Sequence, residues 1–156
     1  PLAQRHRLGI LPWSPLAMGM LAGRYERADG HPADSRAARV GAWAAARISE
    51  AGLAAGRQLA ELALARGLTA SQLALLWVKD QPAVTAPIIG PRTEAQLQDA
   101  LTVLNMQLDQ QTAAALDQIV PPGSAVADFH NTSGWMKMRV TSIAPLASLD
   151  EMYLPR

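Results

Sequence analysis

Apolar positions along the chain fall into short clusters separated by glycine and proline. Gly9 to Leu11 is an apolar run closed by Pro12, and Val84 to Ile89 is a second one, β-branched and closed by Gly90. Runs of this length between turn residues suit buried strands. Between them, residues from about Arg36 to Arg66 are Ala-rich and helix-favouring. Leu59, Leu62 and Arg66, with Ala63, fall at helical spacing there, and Gly67 marks the stop. Gly41, Gly52 and Gly56 interrupt the first part and predict a break near Gly52. A further helix starts at Thr69, where Thr69 and Gln72 fit a capping box and Leu73, Leu76 and Trp77 form one apolar face. It ends before Pro82. Thr93 with Gln96 opens another helix bearing Leu97, Leu101 and Leu104, and the last runs from Asp109 to Ile119, stopped by Pro121-Pro122-Gly123.

The segments between are polar or glycine-broken. Trp13 to Gly23 reads as a loop leaving the first strand, and Tyr25 to Ser35 as a mobile surface segment. The tail from Ser124 onward has no clear period and holds Phe129, Trp135, Met136 and Met138. Strands alternating with helices imply a parallel sheet. Two strands alone cannot make a stable one. The pattern therefore predicts part of an α/β protein that lacks most of its sheet.

Composition narrows the chemistry. The 156 residues are 49% hydrophobic and 17% charged, a globular balance. The absence of cysteine removes disulfide scaffolds and thiolate metal or redox sites. With 14 basic against 13 acidic residues there is no broad electrostatic footprint for nucleic acid. No uninterrupted apolar stretch reaches the roughly 18 residues of a membrane-spanning helix. No secretory signal is legible, and the chain opens on Pro1 and not Met. The expectation is an excerpt of a longer, cytoplasmic protein.

Nucleophile elbows, Walker loops and GxGxxG motifs are all missing. His6, His31 and His130 stand apart from one another, so no metal site is expected. Asn131-Thr132-Ser133 matches the glycosylation sequon by chance only. Two segments stand out. One is the loop Trp13 to Arg24, directly after a strand. The other is Gly90-Pro91-Arg92-Thr93-Glu94-Ala95-Gln96, a turn from a strand into a helix N-terminus. Parallel α/β folds bind ligands at the carboxyl ends of their strands. A helix N-terminus beside an arginine combines free N–H groups, a dipole and a bidentate donor for phosphate. The residues alone equally allow Thr93 and Gln96 to be plain caps, Arg92 a solvated surface group and Trp13 a core residue.

Three blocks taken together go further. LPWSPLAMGMLAGRY, TASQLALLWVKDQPAVTAPIIGPRTEAQLQDAL and LDQIVPPG, in this order between Gly9 and Gly123, resemble the C-terminal half of the aldo-keto reductase superfamily. The likeness is greatest to bacterial reductases related to potassium-channel beta subunits. It implies a helix-rich C-terminal part of a (β/α)8 TIM barrel containing two parallel strands. Residues 1–123 would then belong to the barrel, and 124–156 to a tail packed on the barrel or its substrate site. It also implies NADP(H) bound without a Rossmann fold, and reduction of a small-molecule carbonyl substrate. Trp13 would lie against the nicotinamide, with Ser14, Pro15, Leu16, Ala17 and Met18 in the loop beside the pyrophosphate. Arg24 would approach the cofactor phosphates and Arg36 the adenosine end. Gly90, Arg92, Gln96 and Asp99 match the segment holding the 2′-phosphate and adenine. An arginine fork at a helix N-terminus suits a dianionic 2′-phosphate, which favours NADPH over NADH.

The chain departs from the family at Ala100, where asparagine is common, and in the Pro91 that stiffens the turn. The family's catalytic Asp, Tyr, Lys and His precede the blocks matched here. Tyr25, Tyr153, Lys79 and Lys137 do not match them, so no catalytic residue is assigned. Two other functions stay open: a non-catalytic nucleotide-binding half-barrel, and a redox-sensing regulatory or assembly protein. Its unpaired strand edges imply either a homo-oligomer or association with an N-terminal half.

Overall fold

A computed structural model describes residues 2–41, 45 and 47–126; most of the tail, including Phe129, Trp135, Met136 and Met138, lies outside the described residues. Helix α1 spans Leu2–His6, α2 Arg36–Val40, α3 Glu50–Leu64, α4 Ala70–Lys79, α5 Glu94–Leu101 and α6 Gln110–Ile119. Two 3-10 segments join them, η1 over Ala17–Ala22 and η2 over Thr102–Asn105. Among the described residues no helix is long and apolar enough to cross a membrane.

Side-chain caps fix most helix starts, and those at Thr69 and Thr93 are the ones the sequence implied. Ser49, Thr69, Thr93 and Asp109 each accept a backbone N–H from the residue three positions on, at the starts of α3, α4, α5 and α6. At α4 the box is complete: Gln72 Oε1 accepts the Thr69 N–H at 3.0 Å. Such caps stabilise a helix by about 1 kcal/mol each. The Asp109 carboxyl is held below its usual range by the hydroxyl and N–H of Thr112. Partial burial alone would raise the Asp80 carboxyl. Lys79 and the Leu108 N–H outweigh that and lower it, tying the end of α4 to the approach to α6.

The expected break falls just short of Gly52, at residues 47–49, directly before α3 starts at Glu50. Helix α2 ends before Gly41, whose φ of +82° lies in the left-handed region, and α3 runs unbroken through Gly52 and Gly56. Both glycines are buried because η1 lies against them. A Cβ on Gly56 would stand 2.7 Å from the Met20 carbonyl oxygen, and one on Gly52 would stand 2.9 Å from Met20 Sδ. Close backbone approach thus overrides glycine's low helix propensity.

Met20 is the plug of one core, with Tyr25, Ala37, Ile48 and Leu53. The second core joins α3, α4 and α6 through Leu59, Ala63, Leu73, Ala74 and Leu116. The segment from Tyr25 to Ser35 is tied at both ends, contrary to the mobile segment expected. Tyr25 is buried, its hydroxyl donates to Met18 O and accepts from the Ala37 N–H, and Ser35 is fully buried as the α2 cap.

The two strand candidates need a second correction. They run parallel, but they meet only at single bridges, Ile10 with Val84 and Trp13 with Ile88. The Thr85 N–H donates to Ile10 O and the Ile88 N–H to Pro12 O, both at 2.8 Å. No extended strand forms among the described residues. Pro12 and Pro87 each remove a donor between or beside the bridges, and a two-stranded parallel pair has no further neighbour to extend it.

Candidate cofactor-binding site

The bridge from Trp13 to Ile88 aligns the carboxyl ends of the paired segments. The loop from Ser14 and the turn through Gly90 therefore leave from the same end, where parallel α/β folds carry their sites. Trp13, at that end, is 51% exposed.

Beyond Trp13 the backbone is unusual. Ser14, Ala17 and Met18 have φ of +54°, +46° and +62°, left-handed values that non-glycine residues rarely adopt. Packing and turns hold them there. Leu16 packs on the second core, Ala17 on the first, and Pro15 fixes its own φ. The Ala17 N–H donates to Ser14 O and the Gly19 N–H to Leu16 O, each at 2.8 Å. Those two amides are committed to the turn itself. Gly23, at φ +65°, ends η1 and delivers Arg24 to the surface.

Arg24 and Arg92 meet at one residue that the sequence did not single out. The Arg24 guanidinium pairs with the Asp34 carboxylate, and Arg92 Nη1 donates to the Asp34 carbonyl at 3.3 Å. Two cationic forks, one from each segment, are thereby gathered at the same end of the paired segments. Arg36 follows closely in sequence as the exposed first residue of α2. The signal for Asp34 was present as an acidic residue ahead of the Ser35 cap, within a stretch taken for loose surface.

The turn into α5 is built around Gln96. Its N–H donates to Thr93 Oγ1 at 3.2 Å, and its Oε1 accepts the Arg92 N–H at 2.8 Å. The side chain therefore caps the helix and fixes the Arg92 backbone together. Gly90 is exposed, with open space where a Cβ would stand. Asp99 is engaged at the start of α4: its carboxylate accepts from Gln72 Nε2 at 2.8 Å and from Thr69 Oγ1 at 3.3 Å. Of the residues singled out in sequence, Arg24 and Arg92 converge on Asp34, Gln96 fixes the Arg92 backbone, and Trp13 is bridged to Ile88, two residues before Gly90. Asp99 serves the α4–α5 junction. Among the described residues no group of three His, Asp or Glu side chains is arranged to hold a metal.

The description "Aldo/keto reductase family" fits residues 1–121. Over 131 residues the chain is 35% identical to the uncharacterized oxidoreductase YrpG of Bacillus subtilis (strain 168), covering 83% of this chain and 38% of that protein. The glycerol dehydrogenase AKR11B4 from Gluconobacter oxydans, a solved structure, aligns at a TM-score of 0.61 and 26% identity. That alignment covers 80% of this chain and 39% of the dehydrogenase. The chain thus spans less than half the length of either relative. This helix-rich chain with two parallel-paired segments, similar in fold to part of an aldo-keto reductase TIM barrel, belongs to the aldo/keto reductase family of oxidoreductases.

Proposed function

We propose that this chain supplies the NADP(H)-binding part of an enzyme that reduces aldehydes or ketones to alcohols. The observation that carries it is the gathering of Arg24 and Arg92 at the end of the paired segments where Trp13 is exposed. That donor set fits a dinucleotide with an extra phosphate. Arginine forks bind phosphate oxygens bidentately, and an accessible indole offers a flat apolar face to an aromatic ring. Arg92, its backbone fixed by Gln96, is the residue to hold the 2′-phosphate; Arg24 serves the remaining phosphates and Arg36 the adenosine end. Trp13 covers one face of the nicotinamide and leaves the other to the substrate. When bound, the reduced cofactor supplies a hydride to the carbonyl carbon.

The proton for the carbonyl oxygen comes from outside this chain. Tyr25, the tyrosine nearest the loop, is buried with its hydroxyl between Met18 O and the Ala37 N–H, so it reaches no substrate. The rest of the barrel covers the exposed apolar side chains of Leu11, Trp13 and Ile88 and brings the proton donor.

The test uses the longest native polypeptide containing this chain. NADPH should quench its tryptophan fluorescence and support reduction of simple aldehydes. Trp13→Ala should remove much of that quenching. Unchanged quenching in the variant would contradict the ring-stacking role.

A further inference from the structure

We infer that Asp34 is a built-in competitor of the cofactor's phosphates, occupying the arginine pair in the free chain and setting how tightly NADPH binds. This rests on the assignment of Arg24 and Arg92 to cofactor phosphates given above. Both guanidinium groups already use Asp34: Arg24 takes its carboxylate and Arg92 its carbonyl. A guanidinium fork meets a carboxylate and a phosphate with the same donor geometry, so the Arg24 fork cannot serve both fully.

The position of Asp34 is not a matter of chance mobility. Ser35 beside it is fully buried and caps α2 through the Ala38 N–H, and the Ser35 N–H is bonded to Pro32 O at 2.8 Å. The backbone therefore keeps the carboxylate near the two arginines when a phosphate arrives. Only side chains can yield. The pair is open to water, with the Asp34 side chain 75% and the Arg24 side chain 41% exposed, so exchange for phosphate is rapid and inexpensive. An aspartate left behind still repels each phosphate that enters. The effect is a tuned, salt-sensitive affinity.

Asp34→Asn isolates the charge, because it keeps the backbone carbonyl that Arg92 uses. In the longest native polypeptide, NADPH titrations followed by tryptophan fluorescence should show binding tightened about threefold to fivefold at low ionic strength, the scale of one exposed ion pair. The gain should fall away in high salt, where such charges are screened. NADH carries the same pyrophosphate that Arg24 serves and should gain too, but less, because it lacks the 2′-phosphate that the Asp34 charge also repels. Asp34→Ser must reproduce the gain, which guards against an idiosyncrasy of one variant. Unchanged or weakened NADPH binding in both variants overturns the competitor role. Wild-type binding of NADPH leaves the cofactor assignment standing in that event, whereas a wild-type protein that binds no NADPH overturns both.

Discussion

Gly56→Ala is expected to destabilise the chain by up to about 2 kcal/mol, the ~1–3 kcal/mol cost of overpacking a closed contact less the ~1 kcal/mol that alanine gains in a helix. The new methyl would sit 2.7 Å from the Met20 carbonyl oxygen, which is backbone and belongs to η1. Neither side can retreat easily. Alanine gains about 1 kcal/mol of helix propensity over glycine, so the steric cost must exceed that for the sign to hold. Gly52→Ala is the internal control. Its methyl would meet Met20 Sδ at 2.9 Å and the capping Ser49 Oγ at 3.0 Å, side-chain atoms that can shift by a few tenths of an ångström where backbone cannot, so a smaller loss is expected there. Chemical denaturation of the two variants compares them directly. The same contact supports function, since Met20 anchors η1 between Trp13 and Arg24, and NADPH affinity should fall with Gly56→Ala. Equal stability of the two variants would mean that η1 is not seated on α3 as described.

Arg92→Ala should weaken NADPH by about 1.5–3 kcal/mol, the worth of a hydrogen bond to a charged group, while NADH changes much less. That is about tenfold to a hundredfold in dissociation constant. The difference reports the guanidinium and not the turn. Arg92 contributes its N–H to Gln96 Oε1, and Thr93 Oγ1 accepts the Gln96 N–H, and neither bond uses the arginine side chain. The variant therefore keeps the start of α5 in place. Equal losses for the two cofactors, measured by fluorescence titration, would remove Arg92 from the 2′-phosphate.

The helices were legible because their signals are local. Thr69 with Gln72, Thr93 with Gln96, and Asp109 each mark a start within four residues, and each cap forms. The break before α3 was legible, but Gly52 itself is helical for a tertiary reason: it admits Met20, which no local pattern around α3 reveals. The strand candidates were recognisable as apolar runs and do pair in parallel. Pro12 and Pro87, together with the lack of further pairing among the described residues, limit them to two bridges. Around the candidate site, Trp13 and Arg92 were singled out by their segments, a loop and a turn leaving apolar runs, and were given roles by the resemblance of whole blocks to a family. Asp34 was not, because an ion pair between residues ten apart and a hydrogen bond to Arg92 arise only once the two segments are side by side. Asp99 shows the opposite case. Its place in a family block pointed to adenine, while Thr69 and Gln72 engage its carboxylate in the folded chain.

The most direct measurement is a parallel titration of NADPH and NADH into the longest native polypeptide that contains this chain, at two ionic strengths. If Arg24 and Arg92 form a phosphate site beside Trp13, NADPH binds at least about tenfold more tightly than NADH, as expected for one additional charged hydrogen-bonded contact. Salt then weakens NADPH more than NADH. Equal affinity for the two cofactors, or binding of neither, would contradict the account.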